Sequence, residues 1–206
     1  MLPRVCPWWF AYTFDHRLRR LFHKPEALLK PYVQPGMTVL DLGCGMGYFS
    51  FGLAGLVGVQ GQVVSVDLQS KMLEILFERA KKAGLSDRIA PRLCRSDHLG
   101  LEEMTGRIHF ALAFWMIHEV PDKDRFLKQV HTLLVPNGHL FISEPKGHVS
   151  RRAFQDLLSV AYTVGWRIID RPQVRLSRTA LLEKADPSEA GPPRTSCCSD
   201  QVPGLE

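Results

Sequence analysis

The run Val39-Leu40-Asp41-Leu42-Gly43-Cys44-Gly45-Met46-Gly47-Tyr48-Phe49-Ser50 constrains this chain more than any other segment. Apolar residues lead to an acid, glycines follow at alternate positions, and an apolar stretch of helical character comes next. That order spells strand, tight turn, helix. Glycine is needed where the backbone takes positive φ or where a ligand must come close. The helix that follows offers unpaired N–H groups at its start. The turn can therefore cradle a polar small molecule, with the Asp41 carboxylate at the strand's C-terminal lip. That lip is where open α/β sheets bind ligands.

Spacing separates the possible ligands. The dinucleotide fingerprint G-x-G-x-x-G seats a pyrophosphate on the helix N-terminus. Here Gly43 and Gly45 fit, but the third position is Tyr48 and Gly47 sits one place early. A carboxylate ahead of the first glycine would repel a pyrophosphate and would accept hydrogen bonds from an ammonium group. A nicotinamide-dependent oxidoreductase is thus the poorer fit.

The pattern Asp41-x-Gly43-x-Gly45-x-Gly47 resembles motif I of the class I S-adenosylmethionine (SAM) dependent methyltransferases. The resemblance covers about Tyr32 to Lys184. It implies an α/β fold: a Rossmann-like, seven-stranded, mostly parallel sheet with helices on both faces. It also implies that the loop, Cys44 included, holds the amino-acid end of SAM. A second acid supports it. Gln62 to Leu68 is a short β-branched run containing Asp67, twenty residues after Gly47 (67 − 47 = 20). Such an acid either grips a ribose diol, as many members of the superfamily do, or caps the next helix. Leu68 would then lie against the adenine face.

Along the chain, strand and helix signals alternate, which predicts a mostly parallel sheet. A helix is expected over Gly47–Val57, and another over Lys71–Ala83, capped by Ser70 and stopped by Gly84. Strands are expected at Arg88–Cys94, Ile108–Trp115 and His139–Ser143. A helix from Pro121 carries Phe126, Leu127, Val130 and Leu134 at 3.6-residue spacing and is closed by Pro136-Asn137-Gly138. Ser150 to Val164 reads as a helix, and Trp166–Asp170 with Ser177–Glu183 as a closing antiparallel pair.

Other site candidates sit at strand ends. Asp97 resembles the acid after strand three that holds the adenine amino group, or it caps a turn. Trp115, closing strand four, joins the cofactor-binding set. The Asn/Asp-Pro-Pro-Tyr/Phe motif of base-methylating members is absent from Phe114-Trp115-Met116-Ile117-His118-Glu119. That stretch looks like the small-molecule, quinone- and sterol-methylating branch. His118 is then either a general base or a structural residue, and Glu144, ending strand five, is a second polar group expected to face the cleft. The acceptor is expected to be an apolar or aromatic small molecule. Because motif I reports binding, a SAM-binding regulator without turnover is the alternative.

The chain has 206 residues, 45% of them hydrophobic, enough for one sizeable core. No stretch approaches a membrane span, and no leader peptide is recognisable at the N-terminus. Five cysteines without C-x-x-C spacing fit free thiols in a cytoplasmic protein and give no metal site. The net charge of +5 is modest and argues for a solvated surface rather than a nucleic-acid partner. Residues 1–31 form an aromatic and basic segment, a lid over the pocket or packing over a sheet edge. Residues 185–206 read as a disordered tail, in which Cys197-Cys198 is either inert or a soft-metal pair.

Overall fold

In the computed structural model, residues 24–185 are described. The glycine run forms the expected unit. Strand β1 (Thr38–Leu42) enters a turn in which Gly43, Gly45 and Gly47 all have positive φ, and helix α2 (Tyr48–Val57) leaves it. A short helix α1 (Pro25–Leu29) precedes β1. The remaining elements are β2 (Gln62–Asp67), α3 (Ser70–Lys82), β3 (Ile89–Leu93), β4 (Ile108–Phe114), α4 (Lys123–Leu133), β5 (Leu134–Pro145), α5 (Arg151–Val164), β6 (Trp166–Asp170) and β7 (Ser177–Lys184).

The seven strands form one sheet of order β3-β2-β1-β4-β5-β7-β6. β3, β2, β1, β4 and β5 pair in parallel, and β7 runs antiparallel to both β5 and β6. Strand order reverses between β1 and β4, which places a crevice at the C-terminal ends of those two strands.

Period-two alternation divides the core. Val39, Val63 and Phe110 point to one face, under Leu29, Leu53 and Leu76 of α1, α2 and α3. Leu40, Val64 and Ala111 point to the other, under Leu127 and Leu158 of α4 and α5. Both faces are covered, so β1 and β4 are apolar on both sides apart from Thr38, Asp41 and His109, as buried parallel strands largely are.

Several boundaries differ from expectation. Ser70 is the first helical residue of α3, and Gln69 takes the cap position without a side-chain bond. α4 begins at Lys123, where the Asp122 side chain accepts from the N–H of Arg125. β5 starts at Leu134, directly after α4, so Pro136-Asn137-Gly138 does not close a helix. It lies inside the strand, where Asn137 has φ 59° and the pairing with β4 shifts register, as at a bulge. Part of the N-terminal segment joins the core: Leu29 is fully buried, and Pro25 packs on α2 where Gly52 has no side chain. The rest of that segment, and the expected tail with Cys197-Cys198, lie outside the described residues.

Candidate active site

The crevice holds an open cleft, with about 560 Å³ of empty space when the solvent at its mouth is counted. Leu42, Gly43, Asp67 and Leu68 form one wall. Cys94, Arg95 and Ser96 follow β3, and Met116, Glu119 and Val120 follow β4. Leu99 and Phe126 make the floor apolar.

Asp67 ties this wall to the glycine turn. Its Oδ2 accepts from the N–H of Gly45 at 2.9 Å, and its Oδ1 from the N–H of Gln69 at 2.9 Å. The second bond is an Asx turn into α3, so Asp67 is not the helix cap. Burial raises its pKa, against the lowering effect of the backbone donors. Each carboxylate oxygen has a further lone pair for a ligand.

The other candidates divide sharply. Gly43 lies under Met116, whose Cβ would be 2.9 Å from a side chain at that position. Gly47 lies equally close to Phe51 and Leu76, which seats α2 against α3. Cys44 is buried, its N–H donates to the carbonyl of Val66, and burial pushes its thiol pKa well up. Asp41 is only 2% exposed, and its Oδ2 accepts from Ser50 Oγ at 2.6 Å. Ser65 Oγ in turn donates to Ser50 Oγ at 3.0 Å. Asp41 therefore braces the turn from below and does not line the cleft. Trp115 also stands off the cleft: it has φ 61°, and its indole N–H donates to Ser177 Oγ at 2.8 Å. Asp97 lines a small depression that adjoins the cleft across Arg95, Ser96, Leu99 and Phe126; its carboxylate lies 3.5 Å from Arg95 Nε and its carbonyl accepts from Gln129.

His118 and Glu144 come together. His118 follows β4 in a single 3₁₀ turn, Ile117–Glu119, and its Nδ1 is 2.5 Å from Glu144 Oε2. The other oxygen, Oε1, accepts from the N–H of Ile117 at 2.8 Å. Glu144 is 1% exposed, so the expectation that it faces the cleft is corrected: it is buried on β5 against His118, which stands between the cleft-lining Met116 and Glu119 without itself lining the cleft. The hydrogen bond that His118 makes to Glu144 raises the pKa of His118, outweighing burial.

Sequence reasoning missed Met116, Ser50 and Ser65. The two serines had a signal: each is a hydroxyl inside an apolar element, and Ser65 pairs in register with Asp41. Met116 had none, since its place over Gly43 depends on the β1–β4 pairing.

The switch-point cleft, the glycine turn and the reversed β7 together define the class I SAM-dependent methyltransferase fold. The chain belongs to that superfamily: a family model described as a methyltransferase domain matches residues 33–169. A ubiquinone/menaquinone biosynthesis C-methyltransferase of Cellvibrio japonicus is 34% identical over 139 residues, covering 66% of this chain and 53% of that protein. An arsenite methyltransferase of Aquipseudomonas alcaligenes is 32% identical over 121 residues, covering 57% of this chain and 35% of that protein. The chain thus spans about half the length, or less, of these curated relatives. A SAM-dependent methyltransferase structure from Aquifex aeolicus superposes with TM-score 0.79 at 21% identity, over 88% of this chain and all of that one.

The cleft fits SAM. Asp67 at its edge has two oxygens with lone pairs to spare, of the kind a ribose diol needs, and Leu68, Leu99 and Phe126 are apolar surfaces of the kind a purine needs.

Proposed function

We propose that this protein is a SAM-dependent methyltransferase acting on an apolar or aromatic small molecule. The observation that carries the reading is Asp67, which holds the glycine turn by Gly45 and faces the cleft beside Leu68. Bound SAM supplies an electrophilic methyl group on a sulfonium. Asp67 grips the ribose, Leu68 packs on the adenine, and the backbone of Gly43–Gly47 receives the amino-acid end. Orientation of this kind contributes about 7–11 kcal/mol to a displacement. His118 acts as general base, which adds about 10²–10⁴-fold where the acceptor atom carries a proton.

A quinol-type acceptor is favoured over arsenite. Cys94 is the single cysteine among the described residues that line the cleft, and soft elements are held by several thiolates. The free thiols of Cys44 and Cys94 fit a cytoplasmic protein, and among the described residues no helix is long and apolar enough to cross a membrane. Calorimetry with SAM, S-adenosylhomocysteine and NAD tests the donor; we expect about micromolar binding, near −8 kcal/mol, for the first two. Transfer of labelled methyl to a naphthohydroquinone, with arsenite alongside, tests the acceptor. Binding of NAD alone would overturn the proposal, and binding without transfer to any acceptor in a broad screen would make the protein a SAM-binding regulator.

A further inference from the structure

We propose that Glu144 is a positioning residue that locks His118 in the tautomer with its proton on Nδ1 and its lone pair on Nε2. The site is thereby built for acceptors that shed a proton on methylation, such as phenols, hydroquinones or thiols, and not for tertiary amines or thioethers. This rests on the methyl-transfer reading above.

Glu144 cannot itself touch an acceptor. It is buried, with Oε1 bound to the Ile117 N–H and Oε2 to His118. A carboxylate so placed accepts only, so a neutral imidazole meets it by donating from Nδ1. That leaves Nε2 as the basic atom. Nε2 hydrogen-bonds to no described residue, and the His118 side chain stays 23% exposed. The backbone N–H of Ile117 matters as much as the histidine. It fixes the carboxylate from the same 3₁₀ turn that carries His118, so strand β5 and the turn after β4 are registered to one another by one side chain.

The charged and titratable groups around the pair are few. Glu119 from the same turn adds to Glu144 in favouring the imidazolium, and Lys123 at the start of α4 opposes it. The His148 ring stands edge-on at 5.7 Å. Arg178, opposite Glu144 on β7, turns its Nε to the carbonyl of Val149. The balance favours a base that stays hydrogen-bonded in both of its protonation states, as oriented catalytic histidines are.

The acceptor atom's electron pair forms the new bond to methyl as the carbon–sulfur bond breaks with its pair on sulfur. The acceptor's proton passes to Nε2, and the resulting imidazolium keeps Nδ1–H on Glu144 until solvent removes the proton. A tertiary amine has no proton to give and gains nothing from the pair.

The test uses the full chain labelled with ¹⁵N-histidine, without ligand, with His118 assigned by His118→Gln. Long-range proton–nitrogen spectra should show neutral His118 protonated on Nδ1 and titrating above the ordinary imidazole value of about 6.5. Glu144→Gln should lower that midpoint and mix the tautomers, and Glu144→Asp should restore them in part. Binding of S-adenosylhomocysteine should change by no more than about twofold in either variant. Labelled methyl should reach a naphthohydroquinone about a hundredfold faster than N,N-dimethylaniline. A proton on Nε2 in the neutral ring, a titration indifferent to Glu144→Gln, or equal rates on the two acceptors overturns the proposal. If Glu144→Gln fails to melt cooperatively, the wild-type tautomer decides alone. Failure of the wild type to bind S-adenosylhomocysteine instead overturns the methyl-transfer reading.

Discussion

Gly43 and Asp67 show how much a single position can decide. Gly43 has φ 66°, a conformation that costs a residue with a side chain about 1–2 kcal/mol. A methyl there would also press on Met116. Gly43→Ala should therefore lower stability by at least about 1–2 kcal/mol in urea titrations and weaken S-adenosylhomocysteine binding, because Met116 must move into the cleft. Asp67→Ala removes the acceptor for two backbone N–H groups, Gly45 and Gln69. Each bond to a charged group contributes about 1.5–3 kcal/mol. We expect a clear loss in stability and a fall of about tenfold or more in ligand affinity by calorimetry, with Asp67→Asn intermediate. Unchanged affinity in Asp67→Ala would reduce the residue to a brace for the loop. These positions were legible in the sequence because a left-handed turn and an acid at a strand end are local facts. Glu144 was legible as a strand-end acid, but its burial was not. That depends on Ile117 lying beside it, which only the pairing of β4 with β5 brings about.

At the scale of elements, the contact between α4 and β6 carries a pH dependence. His131, on the last turn of α4, stands edge-on to Trp166 at 5.1 Å, and its Nε2 is buried close to the backbone of Gly165. Burial, and then the charge of Lys184, lower its pKa. A histidine depressed in the folded state is protonated more readily when unfolded. Its contribution to stability is complete above about pH 6.5 and is lost as pH falls below that value. His118 has the opposite sign: its contribution is complete below about pH 6.5 and fades as pH rises through its raised folded value. Melting temperature should therefore drop between pH 7 and pH 5 in a His118→Gln background, and His131→Leu should flatten that drop. An unaltered slope would place the acid sensitivity elsewhere. Most element types were legible from apolar period. The start of β5 was not, because Pro136-Asn137-Gly138 has the composition of a helix stop and serves as a bulge inside a strand. Composition alone does not separate these two uses of a turn-forming triplet.

The molecule as a whole is two apolar layers sharing one sheet. Leu53 lies in the layer under α1–α3 and Leu127 in the layer under α4 and α5, both fully buried. Each Leu→Ala change should cost about 2–5 kcal/mol. Distant sites with no shared partners add to within about 0.5 kcal/mol, so the double variant should show the sum in a single unfolding transition. Two separate transitions would mean that the faces fold independently. The seven-stranded architecture was readable in advance because alternating strand and helix signals leave few ways to arrange a parallel sheet.

The placement of β7 also sets a timetable for synthesis. Every described residue that lines the cleft precedes β5, the last of them being Phe126. Glu144 lies on β5, and the second edge of that strand stays open until residues 177–184 emerge and insert between β5 and β6. An open apolar edge is a hazard for a nascent chain. The cleft is thus encoded before the strand that braces His118 is fixed in the sheet. A ribosome-bound chain arrested before β7 leaves one edge of β5 unpaired, the arrangement most open to wrong strand pairing.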